Sequence, residues 1–330
     1  MTLPIGKLPP RLLADLLAGL PGDPRVIVGP RPGEDAAVID MGDRYLVAKT
    51  DPITFATDAI GWYAVQVNAN DIATTGAQPG WFMASILLPG GQADESMARG
   101  IFGQISDACR ALNVAVVGGH TEITHGLDRP IVCGCMLGEV EKDRMVTTGG
   151  AQVDDWLLLT KGVPIEGISI LAREQRQVLS ARFDPATLDR CANFLYRPGI
   201  SVVRDAAVAM SVGGVTSMHD PTEGGLATAL WELADACGHG VQVDVDDPGP
   251  LLPESVLCEP FGLDPWGLIA SGALLLTVKA DRLEAMRSAF AESRIPLFTL
   301  GKIIGRPGVF KSDGSTLIRP TRDEIARLYE

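Results

Sequence analysis

Hydrophobic and polar positions along the chain fall into short runs whose period switches between two and about 3.6. An amphipathic stretch at 12–20 precedes three strand-like runs at 25–28, 36–39 and 45–49. Residues 58–76 have helical character, and 81–88 return to strand. Ile101, Ile105, Ala108 and Leu112 recur at helical spacing and predict a helix over 95–112. The run 114–117 predicts a buried strand that ends in the turn-like GGHTEITHG, and 131–140 predicts the strand that follows it. Beyond a polar, glycine-rich boundary at 141–155, strands are expected at 156–160, 215–219, 241–245, 273–278 and 297–304. Helices are expected at 200–210, 222–237 and 282–293, and Pro248, Pro250 and Pro253 mark a loop. The pattern predicts an α/β (α+β) fold without the strict βαβ alternation of a Rossmann sheet. Two domains are expected, 1–148 and 149–330, in keeping with a length of 330 residues.

Composition narrows the function. A net charge of −13 with no cluster of Lys or Arg argues against nucleic acid as a partner. The same acidity suits a divalent cation, because several Asp and Glu stand beside glycines at strand ends. The six cysteines are scattered, with no CxxC pair, and read as small buried side chains in a reducing compartment. No apolar run approaches the ~18–20 residues of a membrane span. Pro9, Pro10 and Asp15 interrupt the region where a signal peptide needs an apolar core, so a cytoplasmic protein is expected.

The common nucleotide and nucleophile signatures do not occur: no Walker A loop, no GxGxxG opening a helix, no GxSxG. Acidic clusters remain. Gly33, Glu34 and Asp35 precede a strand, and Lys49, Thr50 and Asp51 end one before Pro52. Asn68, Asn70 and Asp71 lie inside a helical segment although Asn and Asp compete for backbone hydrogen bonds there, which favours a functional reason. Asn68 and Asp71, at i and i+3, share a face. In HDPTEGG, Asp220 as N-cap, Pro221 at N1 and Glu223 at N3 make a capping box. Gly224 and Gly225 weaken that helix start, unless an anion approaches their bare N–H groups. His120, Glu122 and His125 do not have zinc spacing, on a strand or on a helix. A glycine pair followed by His120, Thr121 and Glu122 suits a phosphate–Mg²⁺ loop better.

In this order the motifs GEDAA (33–37), KTD (49–51), NDIATTGAQP (70–79), GGHTE (118–122) and DPTEGG (220–225) resemble the aminoimidazole ribonucleotide synthetase family and its relatives PurM, HypE, ThiL and SelD. The segment 258–276 is most similar to the HypE branch. The resemblance implies a two-domain PurM-like fold and a homodimer whose N-terminal sheets form a shared barrel. It implies ATP and Mg²⁺, with Asp35, Asp51 and Asp71 holding metal. Asp71, Glu122 and Asp220 would be catalytic acids. Lys49, Asn70, Gly118, Gly119, His120, Thr121, Gly224 and Gly225 would contact the nucleotide. The implied chemistry is ATP-driven activation of an amide, carboxyl or phosphate oxygen on a small-molecule or protein-borne substrate, and a maturation partner protein is an expected associate. A thiamine-phosphate-kinase-like phosphotransferase and a non-catalytic nucleotide-binding scaffold are the alternatives. The sequence departs from HypE in carrying no cysteine after Cys258, Glu223 where Arg is common, and His120 where Asp is common.

Overall fold

A computed structural model describes residues 8–30, 35–54, 58–244 and 249–329. Gly33, Glu34, Val245 of the expected strand and residues 246–248 of the expected loop lie outside the described residues. Among the described residues, twelve strands form two six-stranded sheets. The first contains β1 (Val26–Val28), β2 (Ala37–Asp40), β3 (Tyr45–Ile53), β4 (Gln78–Pro89), β5 (Ala115–Thr124) and β6 (Ile131–Val140) in the order β1-β2-β3-β6-β4-β5. Its pairings are antiparallel except β4 with β5, which is parallel. The second contains β7 (Trp156–Thr160), β8 (Val215–His219), β9 (Gly240–Val243), β10 (Leu275–Val278), β11 (Leu297–Ile304) and β12 (Gly308–Lys311) in the order β12-β9-β11-β7-β10-β8. The helices are α1 (Pro10–Leu17), α2 (Ile60–Thr74), α3 (Glu95–Leu112), α4 (Ile165–Glu174), α5 (Arg176–Leu179), α6 (Pro185–Ala192), α7 (Val203–Val212), α8 (Gly225–Cys237) and α9 (Leu283–Glu292). The result is a mixed α/β, two-domain fold. No helix among the described residues is long and apolar enough to cross a membrane.

The helix that carries the puzzling Asn and Asp residues is buried around its whole circumference. Ala64, Ala69 and Ile72 of α2 join the core of the first sheet, Tyr63 joins a cluster with Ile165, Ile168 and Leu195, and Ala73 joins one with Leu158, Val202 and Ala206. A helix apolar on every side is buried on every side, so α2 is the common wall of the two halves. By contrast α3 is amphipathic. Asp94 caps it by accepting from the Met97 N–H, Ile101, Ile105, Ala108 and Cys109 are buried in the core that α2 shares with the first sheet, and Asn113 ends it in the left-handed conformation.

Two expectations are corrected. The strand at 114–117 is neither buried nor finished at Val117; β5 runs through the glycine motif to Thr124 as an exposed sheet edge. Gly119 has φ of 148°, and a Cβ there would stand 2.3 Å from the Ala84 carbonyl oxygen, so the glycine permits a close strand pairing instead of making a turn. The capping box at Asp220 does not form either. α8 starts at Gly225, its N-cap is Gly224 at φ of 78°, and Asp220 is buried just past the end of β8. Helices α4, α5 and α6 and strand β12 were not anticipated from the pattern.

Candidate functional site

Three segments of the first half and one of the second bring charge together at the junction of the two halves. Strand β3 delivers Lys49 and Asp51, helix α2 delivers Asp71, and the chain just before β2 delivers Asp35. From the second half, the end of β8 contributes His219 and Asp220. Lys49 Nζ lies 3.3 Å from Asp51 Oδ2 and 3.1 Å from Asp71 Oδ2. His219 Nδ1 lies 3.1 Å from Asp35 Oδ2, and its Nε2 lies 3.0 Å from Glu232 Oε2 on α8. The Thr148 hydroxyl donates to Asp35 Oδ2 at 3.4 Å, and the Thr74 hydroxyl, 3.5 Å from the same oxygen, donates to the Asp71 carbonyl at 2.9 Å. Asp35, His219 and Asp220 each offer a ligand atom, and these atoms all lie within 4.8 Å of one another.

The helix-interior asparagines hold this arrangement in place. Asn68 Oδ1 accepts from the Asp51 N–H at 2.9 Å, while its Nδ2 donates to the Ala64 carbonyl at 2.8 Å. Asn70 Nδ2 donates to the Ile200 carbonyl and its Oδ1 accepts from the Val202 N–H, both at 2.8 Å. Asn68 thereby fixes β3 behind Asp51, and Asn70 fastens α2 to the second half. Satisfying buried backbone groups compensates for their poor helix propensity.

Five carboxylates (Asp35, Asp51, Asp71, Asp220 and Glu232) surround two cationic groups, Lys49 and His219. Burial pushes the Asp71 carboxyl well above the usual range, and the Asp220, Asp35 and Asp51 charges push it further against the opposing pull of Lys49. Burial and the Asp35 charge raise Asp220 to about 7. Burial disfavours the charged form of Lys49, yet Asp71, Asp51 and Asp35 outweigh it and hold the ammonium above its ordinary value. The His219 imidazole behaves likewise: burial opposes its charge, and Asp35 and Glu232 override it. Asp220 is 2% exposed, and its Oδ2 has no hydrogen-bond partner among the described residues. An excess of buried negative charge with an orphaned carboxylate oxygen fits a divalent cation.

The glycine motif lies elsewhere. Across the first sheet, Gly119 of β5 is in register with Ala84, Gly134 and then Asp51 of β3. Three strand spacings, roughly 14 Å, therefore separate Gly118, Gly119, His120, Thr121 and Glu122 from the acidic cluster within one chain. His120 Nε2 and Glu122 Oε2 stand 3.3 Å apart on that exposed edge. Gly224 and Gly225 lie at the start of α8, where the Gly224 N–H donates to Asp323 Oδ2 at 2.6 Å. A carboxylate of the same chain thus takes the position expected for an anion. His219, Glu232, Thr148 and Asp323 were not singled out from the sequence. The adjacency of a histidine to Asp220 at a strand end was the available signal for the first.

Comparison with known proteins agrees with this architecture. The AIR synthase related protein N-terminal domain matches residues 33–140, and the C-terminal domain of the same family matches 152–312. The carbamoyl dehydratase HypE of Cupriavidus necator is 29% identical over 270 residues, covering 78% of this chain and 73% of that protein. A selenide, water dikinase of Nitratidesulfovibrio vulgaris is 28% identical over 339 residues, covering 90% and 92%. The crystal structure of a hydrogenase maturation protein HypE in complex with ATP superposes with a TM-score of 0.70 at 23% identity, covering 94% of this chain and 91% of that one. Family matches over both halves, on a fold shared with HypE, make the chain a member of the AIR synthase-related family of enzymes.

Proposed function

We propose that the protein is a HypE-like, ATP- and Mg²⁺-dependent enzyme that activates an amide, carboxyl or phosphate oxygen by phosphoryl transfer. The observation that carries this reading is Lys49, mostly buried between Asp51 and Asp71 in a site with surplus carboxylates. Asp35, Asp51 and Asp71 would hold Mg²⁺, which when bound supplies charge neutralisation for the triphosphate. Lys49 is placed to exchange a carboxylate for a phosphate oxygen, and Asp71, Glu122 and Asp220 are the acids available to the acceptor. Asn70 acts through the backbone it grips, keeping Asp71 aimed at Lys49, so the reacting groups meet in fixed orientation. Gly118, Gly119, His120 and Thr121 complete the set assigned to the nucleotide, whereas the start of α8 at Gly224 and Gly225 is already engaged by Asp323.

A homodimer reconciles the distance between β5 and the acidic cluster. β5 is a ten-residue open edge with Val116, Val117 and Ile123 at least half exposed, a surface that invites pairing with a second copy. The assembly would place the glycine motif at an interface. A cytoplasmic location, a domain boundary at 148/149 and a maturation partner protein belong to the same reading. The discriminating assay follows phosphate release from ATP with carbamoyl-type amides and with thiamine phosphate as acceptors. Acceptor-dependent turnover lost in Asp71→Asn supports an enzyme of this type. ATP binding without turnover under any acceptor supports the scaffold instead.

A further inference from the structure

We propose that Glu166, Asp323 and Glu223 line the acceptor's subsite and select an uncharged amide with N–H donors over an anionic acceptor. The proposal rests on the phosphoryl-transfer reading above and names the class of acceptor. Four segments of the second half converge there. The Gly167 N–H of α4 donates to the Ile269 carbonyl at 2.9 Å, and the Ala270 N–H donates to the Thr222 carbonyl at 3.3 Å. Asp323 Oδ2 accepts from the Gly224 N–H at 2.6 Å, which brings in the C-terminal segment. A Cβ on Gly167 would stand 2.8 Å from the Ile269 carbonyl oxygen, and one on Gly225 would stand 2.6 Å from that of Leu268. Both glycines therefore serve close packing of helix starts on the 268–272 segment. The carboxylates grade from rim to floor: Glu223 is exposed, Asp323 half-buried and Glu166 only 5% exposed. The start of α8, which would otherwise attract an anion, already carries the Asp323 charge. Burial and the charges of Glu223 and Asp323 oppose ionisation of Glu166, while Ser271 favours it. Glu166 supplies the independent mark of a ligand: its Oε2 is buried and has no hydrogen-bond partner among the described residues. An N–H donor satisfies that oxygen, whereas a phosphate or carboxylate meets like charge at every depth. Glu223 follows Asp220 by three residues, a span of at most about 11 Å, so the subsite adjoins the acidic cluster.

Saturation-transfer difference NMR of the full-length protein at pH 8, with butyramide and with butyrate, tests the subsite. The two probes share an alkyl chain and differ in NH₂ against O⁻. Wild type is expected to bind butyramide at least about tenfold more tightly than butyrate. Glu166→Gln neutralises the accepting carboxylate and should weaken butyramide about fivefold, narrowing the preference. Asp323→Asn removes the charge that bars anions and should strengthen butyrate about fivefold. Thermal unfolding checks that Glu166→Gln is folded, and Asp323→Asn, on a different segment, gives the second variant. Equal affinity of wild type for the two probes overturns the proposal, as does absence of transfer to butyramide or an unchanged preference in both variants. Calorimetry of ATP with Mg²⁺ on wild type reports on the nucleotide reading separately. A butyramide preference without ATP binding overturns that reading, and ATP binding without the preference overturns this one.

Discussion

The Lys49 ammonium lies 3.1 Å from the Asp71 carboxylate, joining the first sheet to the helix that both halves of the molecule share. Removing one member of a buried pair strands the other. Lys49→Met should cost about 3 kcal/mol at pH 8. The cost should be smaller at pH 5, because burial raises the Asp71 carboxyl and a lower pH favours its protonated form. Denaturant unfolding at the two pH values checks this, and Lys49→Met with Asp71→Asn should recover part of the loss.

Glu166 on α4 is buried outside the acidic cluster, and burial raises its carboxyl to about 7. A folded pKa above the unfolded value contributes stability that is complete below about 4.5 and is lost as pH rises through about 7. Glu166→Gln should therefore be more stable than wild type at pH 8, by about 3 kcal/mol, and equal to it near pH 4.5. Thermal unfolding across that interval gives the comparison.

Asn70 grips the second half through two buried backbone groups. Asn70→Ala leaves both without their partner and should cost about 2–4 kcal/mol. The Val202 amide should exchange its hydrogen faster in this variant, and Asn70→Asp should restore protection at Val202 in part, since it keeps the accepting oxygen.

The open edge at β5 predicts self-association. Val117→Lys or Ile123→Lys places a charge on that edge, which natural sheets use to block pairing. Light scattering should show a dimer for wild type and a monomer for either variant, with the thermal midpoint of the monomer little changed.

These relationships differ in how far the sequence discloses them. Helix α3 is legible because its apolar spacing, its Asp94 cap and its Asn113 stop all agree. Strand β5 is misread because a glycine pair looks like a turn, while Gly119 serves close approach to Ala84 on β4, beyond the intervening α3. The start of α8 is misread for a stronger reason. Asp220 has the sequence context of a cap, but it lies buried beside Asp35 and His219 instead. His219 itself finds its partners 184 and 13 residues away, beyond any local pattern. Asp71 stood out because a buried acid in a helix is locally unfavourable, and that kind of conflict survives in a sequence as a signal.

Calorimetric titration of ATP with and without Mg²⁺ probes the proposed nucleotide–metal site at Lys49, Asp51 and Asp71. Mg²⁺-dependent binding is expected for wild type, and at least tenfold weaker binding for Asp71→Asn. No binding at millimolar ATP with Mg²⁺, or equal affinity in the variant, would contradict it.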